Sequence, residues 1–300
     1  IFGLLIPFSI IYIRDLLDNK IHNKNEIEQI VGSSFPVLSE IPKIGIKQSK
    51  LVQKVDRSVL AEALRILRTN LDYIIKSKSN LRNNNIVFVT SSASGEGKTF
   101  LASNLSLILA NTEKKVLLVG ADIRNPKLYT FFNEDDENES GRKRSRKKQA
   151  GLTEYLSSNS VSVKDIIRPC EVGETKFDII YSGVIPPNPS ELLMNDKMGF
   201  LLKEASVDYD YVIVDTAPML VVTDTLLISR YSDQIIYVVR AGMTDKEVLE
   251  HPMKLAEEGK IENLSFVVND VKESDLGYGG KYGYGYGRNE KKWWQFFKSK

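Results

Sequence analysis

Cysteine is almost missing from this chain. Cys170 is the single one in 300 residues, which excludes an intramolecular disulfide framework and any cysteine-only metal or iron–sulfur site within one chain. Such usage fits a reducing compartment, and a lone small, semi-apolar side chain near a strand is its simplest role. An excess of either charge is missing too: 41 basic and 39 acidic side chains leave a net charge of +2. No overall field therefore calls for nucleic acid, no nucleic-acid partner is expected, and any basic function must come from a local cluster. A complete membrane span is the third absence. Residues 1–13 (IFGLLIPFSIIYI) are nearly all apolar, yet as a helix they reach about 20 Å against a hydrocarbon core of about 30 Å. The chain starts without Met, and Arg14, Lys20, His22 and Lys24 follow the apolar run. The expectation is the end of a truncated transmembrane helix at 1–13, in a C-terminal fragment whose basic flank lies on the cytoplasmic side. A buried or fraying helix is the alternative.

Residues 14–57 are broken by Gly32, Pro36, Pro42 and Gly45 and read as a juxtamembrane linker that packs onto something. From 58 to 76 the sequence predicts a helix, because Leu60, Leu64, Leu67, Leu71 and Ile74/Ile75 recur at steps of three and four. Short β-branched runs then alternate with helical stretches, at 86–90, 116–119, 177–181, 211–215, 235–239 and 264–268. That alternation predicts an α/β, P-loop NTPase-like domain over 58–270: a mostly parallel, doubly wound sheet with helices on both faces. Runs without polar alternation agree, since such strands are buried on both sides. Between 133 and 149, Glu134, Asp135, Asp136, Glu137 and Glu139 precede Arg142, Lys143, Arg144, Arg146, Lys147 and Lys148 with no apolar periodicity, the pattern of a solvated, mobile surface loop. A basic patch for anionic lipid or nucleic acid is the sharper alternative.

The run at 86–90 leads directly into Ser91-Ser92-Ala93-Ser94-Gly95-Glu96-Gly97-Lys98-Thr99, and an apolar helix follows from 100 to about 110. This is a P-loop in its strand–loop–helix context, with Ser92 where the GxxxxGK[ST] pattern has its first glycine. Gly95 and Gly97 let backbone N–H groups turn onto phosphate oxygens, Lys98 reaches the β/γ-phosphates of ATP, and the Thr99 hydroxyl takes Mg²⁺. The candidate nucleotide contacts are Ser94, Gly95, Glu96, Gly97, Lys98, Thr99, Phe100 and, after the last strand, Asn269. Mg²⁺ also calls for carboxylates, and Asp122 and Asp215 sit at the ends of buried runs. A helix cap or turn is the bland role for either.

At these residues the sequence resembles the bacterial tyrosine kinases, the cytoplasmic domains of polysaccharide co-polymerases, from about 58 to the C-terminus. Glu62-Ala-Leu-Arg65-Ile-Leu-Arg68 fits that family's ExxRxxR, Pro186-Pro-Asn-Pro-Ser-Glu191-Leu-Leu193 fits its PPNPxELL, and 116–124 falls on its Walker A′ motif. The resemblance implies catalytic roles for Lys98, Asp122 and Asp215. It also implies ring-like self-association through Glu62, Arg65 and Arg68, and control of capsule or exopolysaccharide export. Further implications are an opposing tyrosine phosphatase and a place on the cytoplasmic face of the inner membrane. One departure stands out: the family's Walker A′ commonly carries DxD, and Gly120 holds the first position here. Two motifs also have readings of their own. Glu62, Arg65 and Arg68 share about 120° of one helix face, whether for a neighbouring subunit or as a solvated ion-pair face. Asn188 can serve as N-cap, Pro189 as N1 and Glu191 as N3 of a short helix.

Beyond 270 comes a tail in which Gly alternates with Tyr278, Tyr282, Tyr284 and Tyr286. Such a segment builds no packed core and should be extended and flexible. The resemblance makes these tyrosines phosphoacceptors for a neighbour's active site. Residues 291–300 mix cations with aromatics, as an interfacial anchor or a plain tail. Three functions compete: an autophosphorylating tyrosine kinase acting in trans; an ATP-binding regulator with lost or weak catalysis, marked by Gly120; and a deviant P-loop partition ATPase. The third typically has a second lysine near the start of the loop, where this chain has Ser91, Ser92, Ala93 and Ser94.

Overall fold

A computed structural model describes residues 9, 12, 17–45, 51–77, 85–132 and 150–277. The apolar run at 1–13, apart from Ser9 and Tyr12, the charged segment 133–149 and the tail 278–300 lie outside the described residues. Among the described residues no helix is long and apolar enough to cross a membrane.

Eight strands form one sheet: β1 Val37–Pro42, β2 Ile86–Ser91, β3 Val116–Gly120, β4 Arg168–Val172, β5 Thr175–Ile180, β6 Tyr211–Asp215, β7 Gln234–Arg240 and β8 Leu264–Val271. Their order is β1-β8-β7-β2-β6-β3-β5-β4, and every neighbouring pair is parallel except β4 with β5. The doubly wound architecture read from the sequence is therefore present. Side chains alternate across it: Val87 and Val89 join one apolar layer with the helices Val59–Ser77 and Lys98–Ala110. Phe88 and Val214 join the other, with Leu201 and Leu202 of the helix Asp196–Asp208. A period of two on strands covered on both faces gives the uninterrupted apolar runs seen in the sequence.

The helix expected over 58–76 runs from Val59 to Ser77 and docks through Leu60, Leu64, Leu67 and Leu71, all buried. Truncating one of these to Ala typically costs about 2–5 kcal/mol.

Two strands are additions to that reading. β1 lies inside the stretch expected as a linker and pairs with β8, with Val37 opposite Phe266. β4 contains Pro169 and is half exposed along its length. Both are edge strands, where a proline's missing N–H leaves no ladder bond unmade. Residues 19–22 also bind the domain: the Ile21 N–H donates to the Thr244 carbonyl at 3.0 Å and the Gly242 N–H to the Ile21 carbonyl at 2.7 Å.

Candidate nucleotide and metal site

β2 is the central strand from which the P-loop departs, flanked by β7 and β6. Gly95 and Gly97 take φ of +95° and +100°, backbone that disfavours any side chain. At Gly97 an added Cβ would also lie 2.0 Å from Asn269 Nδ2, so glycine is required there twice over. The loop delivers Lys98 as the first residue of the 13-residue helix Lys98–Ala110.

The structure brings both strand-end acids to these residues. Lys98 Nζ lies 3.2 Å from Asp122 Oδ2, and the Thr99 hydroxyl donates to Asp215 Oδ2 at 2.8 Å. All four side chains are buried. The register explains the convergence: Gly120 of β3 sits opposite Asp215 of β6, and the N–H groups of Ala121 and Asp122 both donate to the Asp215 carbonyl, at 2.8 and 3.0 Å. Asp122 Oδ1 accepts in turn from the Asn125 N–H at 3.0 Å.

Burial pushes the Asp215 carboxyl up to about 7; the Lys98 charge and the Thr99 hydrogen bond oppose the shift, while the Asp122 charge adds to it. Its Oδ1 is buried without a hydrogen-bond partner. An orphaned carboxyl oxygen beside a threonine hydroxyl and a second carboxylate is a donor set that fits Mg²⁺, which takes one or two carboxylates and leaves its other positions to phosphate and water. Among the described residues no group of three or more His, Cys, Asp or Glu stands ready to hold a metal, so a closed all-protein cage is not what these residues form.

The remaining candidate contacts divide between loop and support. Ser94 and Gly95 are exposed at the loop tip, and Phe100 is half-buried against the apolar layer of the P-loop helix. Glu96 is buried and accepts from the Ser92 and Thr244 hydroxyls and the Ala93 N–H. Asn269 donates to the Glu96 carbonyl at 2.9 Å, and Arg240 donates to the Gly95 carbonyl at 2.8 Å while paired with Asp270. Arg240 and Thr244 brace the loop and were not foreseen. A charged residue at the carboxyl end of β7, one strand from the P-loop, is the signal that could have found Arg240.

Gly120 is closely packed. A Cβ there would come 2.8 Å from Ser182 Oγ and 2.9 Å from Leu128 Cδ1, and the Ser182 hydroxyl donates to the Gly120 carbonyl at 2.8 Å. The place where an acid would project is filled.

Glu62, Arg65 and Arg68 lie on the helix Val59–Ser77, which packs in one apolar layer with the P-loop helix. Arg65 pairs with Glu62 and donates to the Asp56 carbonyl at 2.6 Å. In the proline motif Pro189 opens a helix to Leu193, but the Asn188 side chain makes no backbone cap. With ψ at 67° it turns instead to Glu191 Oε2, 2.6 Å away.

A cleft of about 1000 Å³ opens at the opposite, amino edge of the sheet, lined by residues including Lys114, Lys115, Cys170 and Asp178. Burial pushes the Cys170 thiol up to about 11, so it stays an inert, un-ionised side chain.

A phosphate-cradling loop on a central parallel strand, with lysine and threonine each engaged by a strand-end carboxylate, defines a P-loop nucleotide-binding domain. The AAA domain family matches residues 84–256. Tyrosine-protein kinase ptk of Acinetobacter johnsonii is 32% identical over 278 residues, 89% of this chain and 35% of that protein. The kinase domain of Escherichia coli tyrosine kinase ETK superposes with a TM-score of 0.67 at 30% identity, covering 82% of this chain and 94% of that one. The chimerical protein CapA2B2 does so with 0.68 at 28%, covering 83% and 99%. The chain belongs to the AAA-domain family and, within it, to the bacterial tyrosine kinases. It spans about a third of the length of the curated relatives it matches.

Proposed function

We propose that this chain is an ATP- and Mg²⁺-dependent protein-tyrosine autokinase, acting in trans on Tyr278, Tyr282, Tyr284 and Tyr286 of a neighbouring copy. The observation that carries the reading is the double engagement of the P-loop, Lys98 with Asp122 and Thr99 with Asp215. Thr99, Asp122 and Asp215 are the residues that would hold Mg²⁺, which when bound offsets the charge of the β- and γ-phosphate oxygens.

The protein's own work is mostly placement and electrostatics, as a loose phosphoryl-transfer transition state permits. The loop N–H groups and the helix N-terminus bind the phosphates. Lys98 supplies a fixed cation toward the γ-phosphate, and burial keeps that charge unscreened. With Gly120 in place of an acid, Asp122 and Asp215 are the carboxylates available to take the proton from the incoming tyrosine hydroxyl.

The ExxRxxR face of the helix Val59–Ser77 would hold neighbouring copies in a ring, raising the local concentration of tails. By its resemblance the chain would act in capsule or exopolysaccharide export, anchored through its N-terminal part at the cytoplasmic face of the bacterial inner membrane and reset by a tyrosine phosphatase. The packing of Ser182 and Leu128 against Gly120 favours one other reading, a catalytically weak ATP-binding regulator of the same machinery. Incubation of purified protein with ATP and Mg²⁺, followed by mass mapping of phosphate, separates the two: phosphotyrosine at 278–286 supports the kinase, and unmodified tyrosines with retained ATP binding support the regulator.

A further inference from the structure

Arg124 lies two residues beyond Asp122, and its guanidinium is committed to residues outside the P-loop. Nε donates to Asp224 Oδ2 at 2.6 Å, and Nη2 donates to Asp224 Oδ1 at 3.0 Å and to Ser190 Oγ at 2.8 Å. The Ser190 hydroxyl itself donates to Asp224 Oδ1 at 2.9 Å. The Asp224 carboxylate is 2% exposed, so it depends on this pairing.

The three partners come from three adjacent strands. Asp224 opens the helix Asp224–Ile228 after β6, Arg124 follows β3, and Ser190 belongs to the helix Pro189–Leu193 after β5. One planar fork therefore cross-braces the carboxyl edge of the sheet, a task that the point charge of a lysine performs less well. The short segment it ends is the one that carries Asp122. At its front, the N–H groups of Ala121 and Asp122 fix that segment to the Asp215 carbonyl, and at its back Arg124 fixes it to Asp224.

The geometry points to Arg124 and Asp224 as positioning residues for Asp122, with Ser190 of the proline motif as their third member: the brace sets where the Asp122 carboxylate stands relative to Thr99 and Asp215, and thereby the affinity for Mg²⁺–nucleotide. This rests on the proposed reading of Asp122 and Asp215 as the metal's neighbours. It gives the serine of Pro189-Ser190-Glu191 a task at the site in addition to starting a helix.

The test is binding of a fluorescent ADP analogue with Mg²⁺ and with EDTA, alongside thermal unfolding, for wild type, Arg124→Ala, Arg124→Lys and Arg124→Ala/Asp224→Ala. Arg124→Ala should lose about 10-fold or more of the affinity that Mg²⁺ adds, as loss of outer-shell partners does elsewhere, while binding in EDTA stays as in wild type. Arg124→Lys should recover part of it, keeping the charge without the fork. The double variant should regain melting temperature, because no buried carboxylate is left unpaired, yet still lack the Mg²⁺ gain. A full Mg²⁺ gain in Arg124→Ala, or its return together with stability in the double variant, overturns the proposal. Absence of any Mg²⁺ gain in wild type overturns both it and the metal assignment beneath it, and is visible before any variant is compared.

Discussion

Thr99 and Asp215 face each other across the sheet's carboxyl edge, the hydroxyl bonded to one carboxylate oxygen at 2.8 Å while the other oxygen, buried, has no partner. A half-satisfied buried acid of this kind is costly to the empty protein and useful to a site that must hold a cation.

The contribution of Asp215 to stability should therefore fall as pH rises from about 4 to about 7. Asp215 binds its proton more tightly folded, at about 7, than at its ordinary value of 3.8, so in that window the native state carries more protons than the unfolded one. Above pH 7 the whole penalty applies, on the order of 4 kcal/mol. Asp215→Asn should be the more stable protein at pH 8 and should flatten the slope. Denaturant melts of both proteins from pH 5 to pH 8 check this; a stability difference between them that does not grow with pH contradicts the raised proton affinity of Asp215.

Binding of Mg²⁺ with ADP should release up to one proton below about pH 7 and progressively less above it, because a bound cation favours the Asp215 carboxylate. Titration calorimetry in buffers of different ionisation enthalpy counts the proton. Asp215→Asn should show none.

Lys98→Met should abolish phosphoryl transfer, and it should also lower stability by about 3 kcal/mol, because Asp122 is left buried without its partner. Lys98→Met/Asp122→Asn should restore the melting temperature without restoring activity. Recovery of turnover in the double variant would show that Lys98 does not serve the phosphates.

Restoring an acid with Gly120→Asp should not raise activity. The new Cβ meets Ser182 Oγ and Leu128 Cδ1, and overpacking of this kind costs about 1–3 kcal/mol. Adding Ser182→Gly should return part of the stability. A stable, faster Gly120→Asp single variant would mean that the loop yields where it is packed tightest.

Arg65→Ala/Arg68→Ala should give monomers by light scattering and slow autophosphorylation by about 10²-fold, the scale of a lost effective concentration. An assembled, fully active double variant contradicts the trans mechanism.

What the sequence made legible was local: β-branched runs buried on both faces, the leucine spacing of the helix Val59–Ser77, and the P-loop, whose glycines announce their backbone. β1 and β4 were hidden because edge strands tolerate Pro42 and Pro169, residues that read as breaks in a strand pattern, and β4 alternates in exposure like a connector. Glu96 shows the limit for the site. Its position in the loop suggested a nucleotide contact, while its carboxylate is held by Thr244, far away in sequence, a partner that exists only once β7 lies beside β2. The Arg124–Asp224 pair was hidden for the same reason, since it bridges 100 residues of chain.

The central claim is phosphotyrosine transfer between copies, and mixing two variants tests it most directly. Asp215→Asn with an intact tail serves as the acceptor, and a chain ending at Gly277 with an intact P-loop serves as the enzyme. With ATP and Mg²⁺, peptide mass spectrometry should find phosphate on Tyr278, Tyr282, Tyr284 or Tyr286 of the acceptor, which neither variant acquires alone. An acceptor tail that stays unmodified, when wild type modifies its own, would contradict transfer in trans.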